Sequence, residues 1–104
     1  MNTQKEKDRV RHSKEWKELK ETIRIKQNGR DCITGAKIRK SANLHHMNLD
    51  PEEYGNLSDE SHFILVNSNT HKWIHQMLPY YKKDETVIDR LEEILKKMKE
   101  INSN

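Results

Sequence analysis

A single cysteine, Cys32, stands in a chain of 104 residues, so no disulfide can form within it. That fits a reducing compartment, and the cytoplasm is the expected location. Long apolar runs are missing too, so no segment should cross a bilayer and no membrane partner is expected. The first residues, MNTQKEKDRVRH, carry charges with no apolar stretch after them, so they do not read as a secretory signal. Internal repeats and low-complexity linkers are absent. Apolar residues are scarce, at 32% against 36% charged. The core must therefore be small, and a metal, a partner or a dimer is expected to help hold it. Nor is there a large excess of one charge: 20 basic residues are interspersed with 17 acidic ones, for a net charge of +3. Such a balance fits a solvated surface and gives only slight support for a polyanionic partner.

What the chain has is histidine. Five of its six histidines fall between positions 45 and 75: His45, His46, His62, His71 and His75. Imidazole titrates near neutral pH and is the commonest metal ligand, so neighbouring histidines can divide the roles of base and ligand. His71 and His75 are four residues apart in HKWIH, which puts both rings on one face of a helix, one turn apart.

The surroundings place these histidines on separate elements. Residues 1–12 form a highly charged arm expected to fray. Ser13 is a suitable cap for a helix running to about Gln27, with Trp16, Leu19 and Ile23 as its apolar stripe. Asn28-Gly29 should end that helix, and Thr34-Gly35 should turn the segment from Asp31 to Ile38. Ala42–Met47 reads as a short strand, residues 48–61 as a loop marked by Asp50-Pro51, and Phe63–Val66 as a buried strand. Ser68 or Asn69 can cap a helix from Thr70 to about Leu78, stopped by Pro79. Asp84 should cap a last helix, over 84–101, whose stripe runs through Val87, Ile88, Leu91, Ile94, Leu95, Met98 and Ile101. One α+β domain is expected over 1–104. Side chains alternate along a strand, so His45 and His46 should point apart, one toward a metal and the other toward a substrate.

With NLHH on one element and HFILVNSNTHKWIH ending in His-x3-His on another, residues 13–78 resemble the HNH endonucleases. EWKELKETIRIKQNGRDCITG is similar to the helix-then-cysteine opening of many such domains. The resemblance implies a small ββα-metal motif, here flanked by an N-terminal helix and a C-terminal amphipathic helix, and the layout is closest to the nuclease domains of colicins. It implies hydrolysis of phosphodiester bonds in DNA with a divalent metal ion, leaving 5′-phosphate and 3′-hydroxyl ends, in a phage or prophage setting. Further partners consistent with it are a homodimer or a phage packaging protein.

By the same resemblance His46 is the general base, His45 and His71 are metal ligands, and His75 is the third ligand. His62 stands where the family has a catalytic asparagine that orients the base loop. A set of imidazoles favours Zn, Ni, Co or Mn in binding strength, whereas Mg prefers oxygen ligands. Each histidine also has a plainer reading: His46 as a hydrogen-bonding group at a strand end, His75 as a helix-surface residue or phosphate contact. Many relatives carry two cysteine pairs that bind a structural zinc. Here only Cys32 is left, with Asn67 and Thr70 at the second pair, so no zinc knuckle is expected and the last helix could cover the apolar side instead. Trp73 should face the core, and His12 is incidental. Arg30, Lys37, Arg39, Lys40 and Lys72, with Arg24 and Lys26, are candidates for contact with a nucleic-acid backbone. Tyr80 and Tyr81 beside Lys82 and Lys83 read either as a base-stacking patch or as an ordinary loop. Two rival classes are a metal-stabilised DNA-binding module without catalysis and a phage accessory or interaction protein on an HNH scaffold.

Overall fold

The computed structural model describes residues 4–48 and 55–103. Among them are four α-helices and one two-stranded antiparallel sheet: α1 (Gln4–Arg11), α2 (Lys14–Lys26), β1 (Asn43–His46), β2 (Phe63–Val66), α3 (Ser68–Lys83) and α4 (Thr86–Ile101). The protein is thus a small α+β protein. The backbone divides into two compact units, Met1–His71 and Lys72–Asn104, with the division inside α3.

The first unit holds the core. Ser13 caps α2 as its sequence predicts, its hydroxyl accepting the Trp16 N–H. Trp16, Leu19 and Ile23 are buried on one face of α2 and meet Ile38, Ala42, Leu44, Phe63 and Leu65. The residues 4–11 do not fray as expected but form α1, where Asp8 accepts from Gln4 and pairs with Arg11, and Val10 packs against the core. Asn28 ends α2 at φ 56°, the left-handed position that Asn tolerates. Its N–H donates to Ile25 O and that of Gly29 to Arg24 O, the two bonds of a Schellman cap. A tight hairpin follows, closed by Ile38 N–H to Gly29 O and Asp31 N–H to Ala36 O, with Gly35 at φ 74° in its turn.

β1 and β2 pair with Leu44 opposite Leu65, His45 opposite Ile64 and His46 opposite Phe63. The expected strand at 42–47 is therefore slightly shorter, and the one at 63–66 is as read. A 3-10 turn, Glu60–His62, precedes β2, so His62 closes that turn just before the strand. The expected Asp50-Pro51 turn lies outside the described residues.

The second unit is helical. Pro79 does not stop α3, which continues to Lys83. Proline removes one N–H donor, but the ladder resumes beyond it, with Asp84 N–H donating to Tyr80 O. Asp84 does act at the start of α4: its carboxylate accepts the Thr86 N–H and hydroxyl and pairs with Arg90, which together lower its pKa to about 2. No residue of α4 is buried. Its apolar stripe exists, but Ile88, Ile94, Leu95 and Met98 are exposed.

Candidate metal centre

The alternation of β1 sends its two histidines to opposite faces of the sheet. His46 shares a face with its cross-strand partner Phe63 and stacks on it, ring centroids 4.5 Å apart and planes within 11°. Phe63 in turn meets Trp16 edge-on at 6.1 Å. His45 leaves the other face and is buried, only 7% exposed, with its ring 5.2 Å from that of His71. His71 lies in the first turn of α3, which begins right after β2 ends, so two short connected elements fix the pair. His75 follows His71 one turn further along the same helix.

One ring nitrogen from each of His45, His71 and His75 lies within 4.8 Å of the others. A single ion with metal–nitrogen distances of about 2.0–2.1 Å needs ligand atoms about 3.3 Å apart in tetrahedral geometry. The rings must close by about 1.5 Å at most, within reach of side-chain rotation. Neutral imidazoles in a partly buried cluster fit a borderline transition-metal ion better than magnesium. These three residues could hold one divalent metal ion, and they are three of the residues singled out in the sequence.

The other two histidines stand apart from that cluster. His46 is on the opposite sheet face. The His62 ring pairs with Asp59, Nε2 to Oδ2 3.2 Å, and both side chains are about half exposed. That carboxylate is held below its usual pKa by the Ser61 hydroxyl and N–H, with His62 a smaller contributor. The backbone of His62 meets the strand end: His62 O accepts the Met47 N–H at 2.7 Å, extending the ladder by one step past His46. A carbonyl supplied by the main chain needs no particular side chain. His12 follows α1 directly, its Nδ1 2.7 Å from Asp8 O.

Two residues that were not singled out as site residues organise the region beside α3. Asp31 is almost fully buried. Its Oδ1 accepts the N–H groups of Ile33 (2.9 Å) and Thr34 (3.0 Å), and its Oδ2 that of Asn67 (2.9 Å). Burial by itself would raise its pKa, but the N–H donors of Thr34, Asn67 and Ile33 and the Thr70 hydroxyl outweigh it and hold the carboxyl below the usual range. Asn67 also binds the 37–39 backbone, accepting from Arg39 N–H and donating to Lys37 O, each at 2.9 Å. Asn67 and Thr70 thus join a hydrogen-bonded clasp around a carboxylate. Cys32 is exposed, not buried, and desolvation and Asp31 push its thiol pKa up. The second residue is Gln27, whose amide mimics a strand on the free edge of β2. Its Nε2 donates to Leu65 O (2.8 Å) and its Oε1 accepts the Leu65 N–H (3.0 Å). An acidic residue opening a Thr-Gly turn was a readable signal for Asp31; no local pattern marks Gln27.

Of the basic candidates, Lys37, Arg39 and Lys40 line one open groove of about 950 Å³ with Ser41 and the start of α3. Arg30 donates to Gly35 O, Lys26 pairs with Glu60, and Arg24 lies 3.3 Å from Glu21. Lys72 is exposed on α3. Trp73, expected in the core, is 45% exposed. Tyr80, Lys82 and Lys83 are exposed and Tyr81 partly so, all on α3 and not in a loop. No described helix is long and apolar enough to cross a membrane. Compared with known protein families, with characterised proteins and with solved structures, the chain has no match.

Proposed function

We propose that the chain is a metal-dependent endonuclease of the HNH kind that hydrolyses phosphodiester bonds in DNA, in a phage or prophage setting. The observation that carries this is the convergence of His45 from a strand with His71 and His75 from the following helix. In this proposal those three imidazoles hold one divalent ion. Once bound, the ion would polarise the scissile phosphate and stabilise the negative charge that builds on it. His46 takes the proton from the attacking water, and the stack on Phe63 fixes the plane of its ring. Lys37, Arg39 and Lys40, gathered along one groove, steady the DNA backbone by charge without reading sequence.

The alternative, a metal-stabilised DNA-binding or accessory protein without catalysis, is favoured by one observation: His46 and the three clustered histidines lie on opposite sheet faces. Incubating supercoiled plasmid with the protein and Zn, Ni, Co, Mn or Mg separates the two. Under the nuclease proposal, wild type relaxes or linearises the plasmid with at least one ion. His71→Ala should lose both metal binding and cleavage. His46→Ala should lose cleavage by about 100-fold or more while still binding metal. Wild type that binds an ion tightly yet cuts no DNA with any of them would support the non-catalytic alternative. Undiminished cleavage by His46→Ala would remove His46 as the base.

A further inference from the structure

We propose that α4 is a dimerisation helix that pairs antiparallel with α4 of a second copy of this chain. Two observations carry the proposal: a continuous exposed apolar seam, and a charge pattern along the helix that selects both the partner and its direction. The seam follows a heptad. Ile88 and Leu95 occupy one repeating position and Leu91 and Met98 the other, spaced by three and four residues over the four turns of Thr86–Ile101. Ile88, Leu95 and Met98 are each more than half exposed, and Leu91 is only partly covered. Ile94, also exposed, widens the seam on one flank. Over two heptads an α-helix drifts only about 40° from a strict seven-residue repeat, so the stripe stays on one side. A helix face of this composition, left in water, is unusual unless another apolar surface meets it.

The charges identify that surface. The first half of the helix region carries Glu85, Asp89, Glu92 and Glu93 against the single Arg90, and the second half carries Lys96, Lys97 and Lys99 against the single Glu100, so the two halves lean to opposite signs. In a parallel pair, acids would lie beside acids and lysines beside lysines. In an antiparallel pair each half meets its opposite. With Ile88 against Met98 of the other copy and Leu91 against Leu95, the same register brings Glu85 beside Lys99 of the other copy, twice by symmetry, and sets Glu92 beside Glu92 of the other copy at the two-fold axis, each offset by its own Lys96. Such an interface is self-complementary, as a two-fold dimer requires. Within one copy Lys96 already pairs with Glu92 at 3.1 Å, which leaves the Glu85–Lys99 contacts as the ones that set direction.

Sedimentation equilibrium of the full chain, from micromolar to about millimolar concentration, tests this. The expected result is a reversible monomer–dimer equilibrium. Leu95→Glu should raise the dissociation constant at least about tenfold, because it places two charges in the seam. Leu95→Ala should also weaken the dimer, and since alanine favours helix, that loss cannot come from unwinding α4. Glu85→Lys and Lys99→Glu should each weaken it about threefold, and the double variant should restore it to within about twofold. A chain that stays monomeric throughout, or a dimer indifferent to both Leu95 substitutions, overturns the proposal. A dimer lost with Leu95→Glu but not restored by the charge exchange overturns the antiparallel pairing.

Discussion

The stretches before and after His71 use their apolar residues in opposite ways. Every buried apolar side chain among the described residues lies between Trp16 and Val66, whereas Trp73, Tyr80, Ile88, Ile94, Leu95 and Met98 are exposed. In the first stretch α2 and the two strands share one core, and His45 is buried on the sheet's other face. In the second, the helices are supported chiefly by their own ladders, by the Asp84 start of α4 and by i,i+4 pairs such as Lys96–Glu92. Of the three histidines that could hold a metal ion, His45 and His71 lie in the well-packed stretch.

The largest expected effect would break this contrast if it failed. Leu65 is fully buried in β2. Leu65→Ala should cost about 2–5 kcal/mol in chemical denaturation, the range for a buried leucine that leaves a cavity. Leu95→Ala, measured at a concentration where the chain is monomeric, should stay within about 0.5 kcal/mol. Hydrogen exchange should show the same order, with β2 amides protected more than those of α4. Equal losses for the two variants would mean that α4 is buried in solution.

Next in size is Asp31. Replacing it by Ala strands three N–H donors of the 31–35 turn and of Asn67, at a cost of about 3 kcal/mol. The direction of its pKa shift fixes the pH dependence. A carboxyl whose folded pKa is depressed contributes its full stability above the unfolded value, near 3.9, and loses it as pH falls through the lower folded value. Acid titration of wild type should therefore show a loss of stability below about pH 4, part of which disappears in Asp31→Asn. An acid limb of unchanged size in Asp31→Asn would show that the carboxylate is not the source.

These two cases also show what could be read from the sequence. The Ser13 cap, the Phe63–Val66 run, the opposed faces of His45 and His46, and the His71/His75 pair were legible because each depends on a few neighbouring residues. The sequence marks Asp31 only as a turn former; that its other oxygen reaches Asn67 depends on where β2 ends in space. Gln27 behaves as a spare strand only because α2 stops beside β2. Trp73 misled for the same reason: its place between two histidines on a helix says nothing about whether another element covers that face. Pro79 misled because one missing donor was taken as the end of a helix whose remaining bonds survive it.

A smaller effect is expected at Cys32. It is exposed, and Asn67 and Thr70 are bound up with Asp31. Cys32→Ser should change stability by less than about 0.5 kcal/mol and leave the number of metal ions bound per chain unchanged by elemental analysis. Loss of an ion on this substitution would mean that the thiol is a ligand.

The smallest effect is expected at His62, where the resemblance to HNH enzymes had suggested the most. Its ring faces Asp59 in an exposed pair, and such pairs are worth about 0–1 kcal/mol. What it gives the strand end is its carbonyl, which takes the Met47 N–H, and any residue at 62 supplies that. Under the proposed nuclease reading, His62→Asn and His62→Ala should therefore cleave plasmid within about threefold of wild type and of each other, a difference below about 0.7 kcal/mol. An orienting ring would give another pattern: Asn, which also offers a donor and an acceptor, would retain activity and Ala would not. Asp59→Ala sharpens the comparison. If the ring matters only through its surface pair, this change should leave cleavage as it leaves the Met47 bond, untouched. If it lowers cleavage as much as His62→Ala does, the pair itself positions the turn before β2, and the effect belongs to the turn and not to the imidazole.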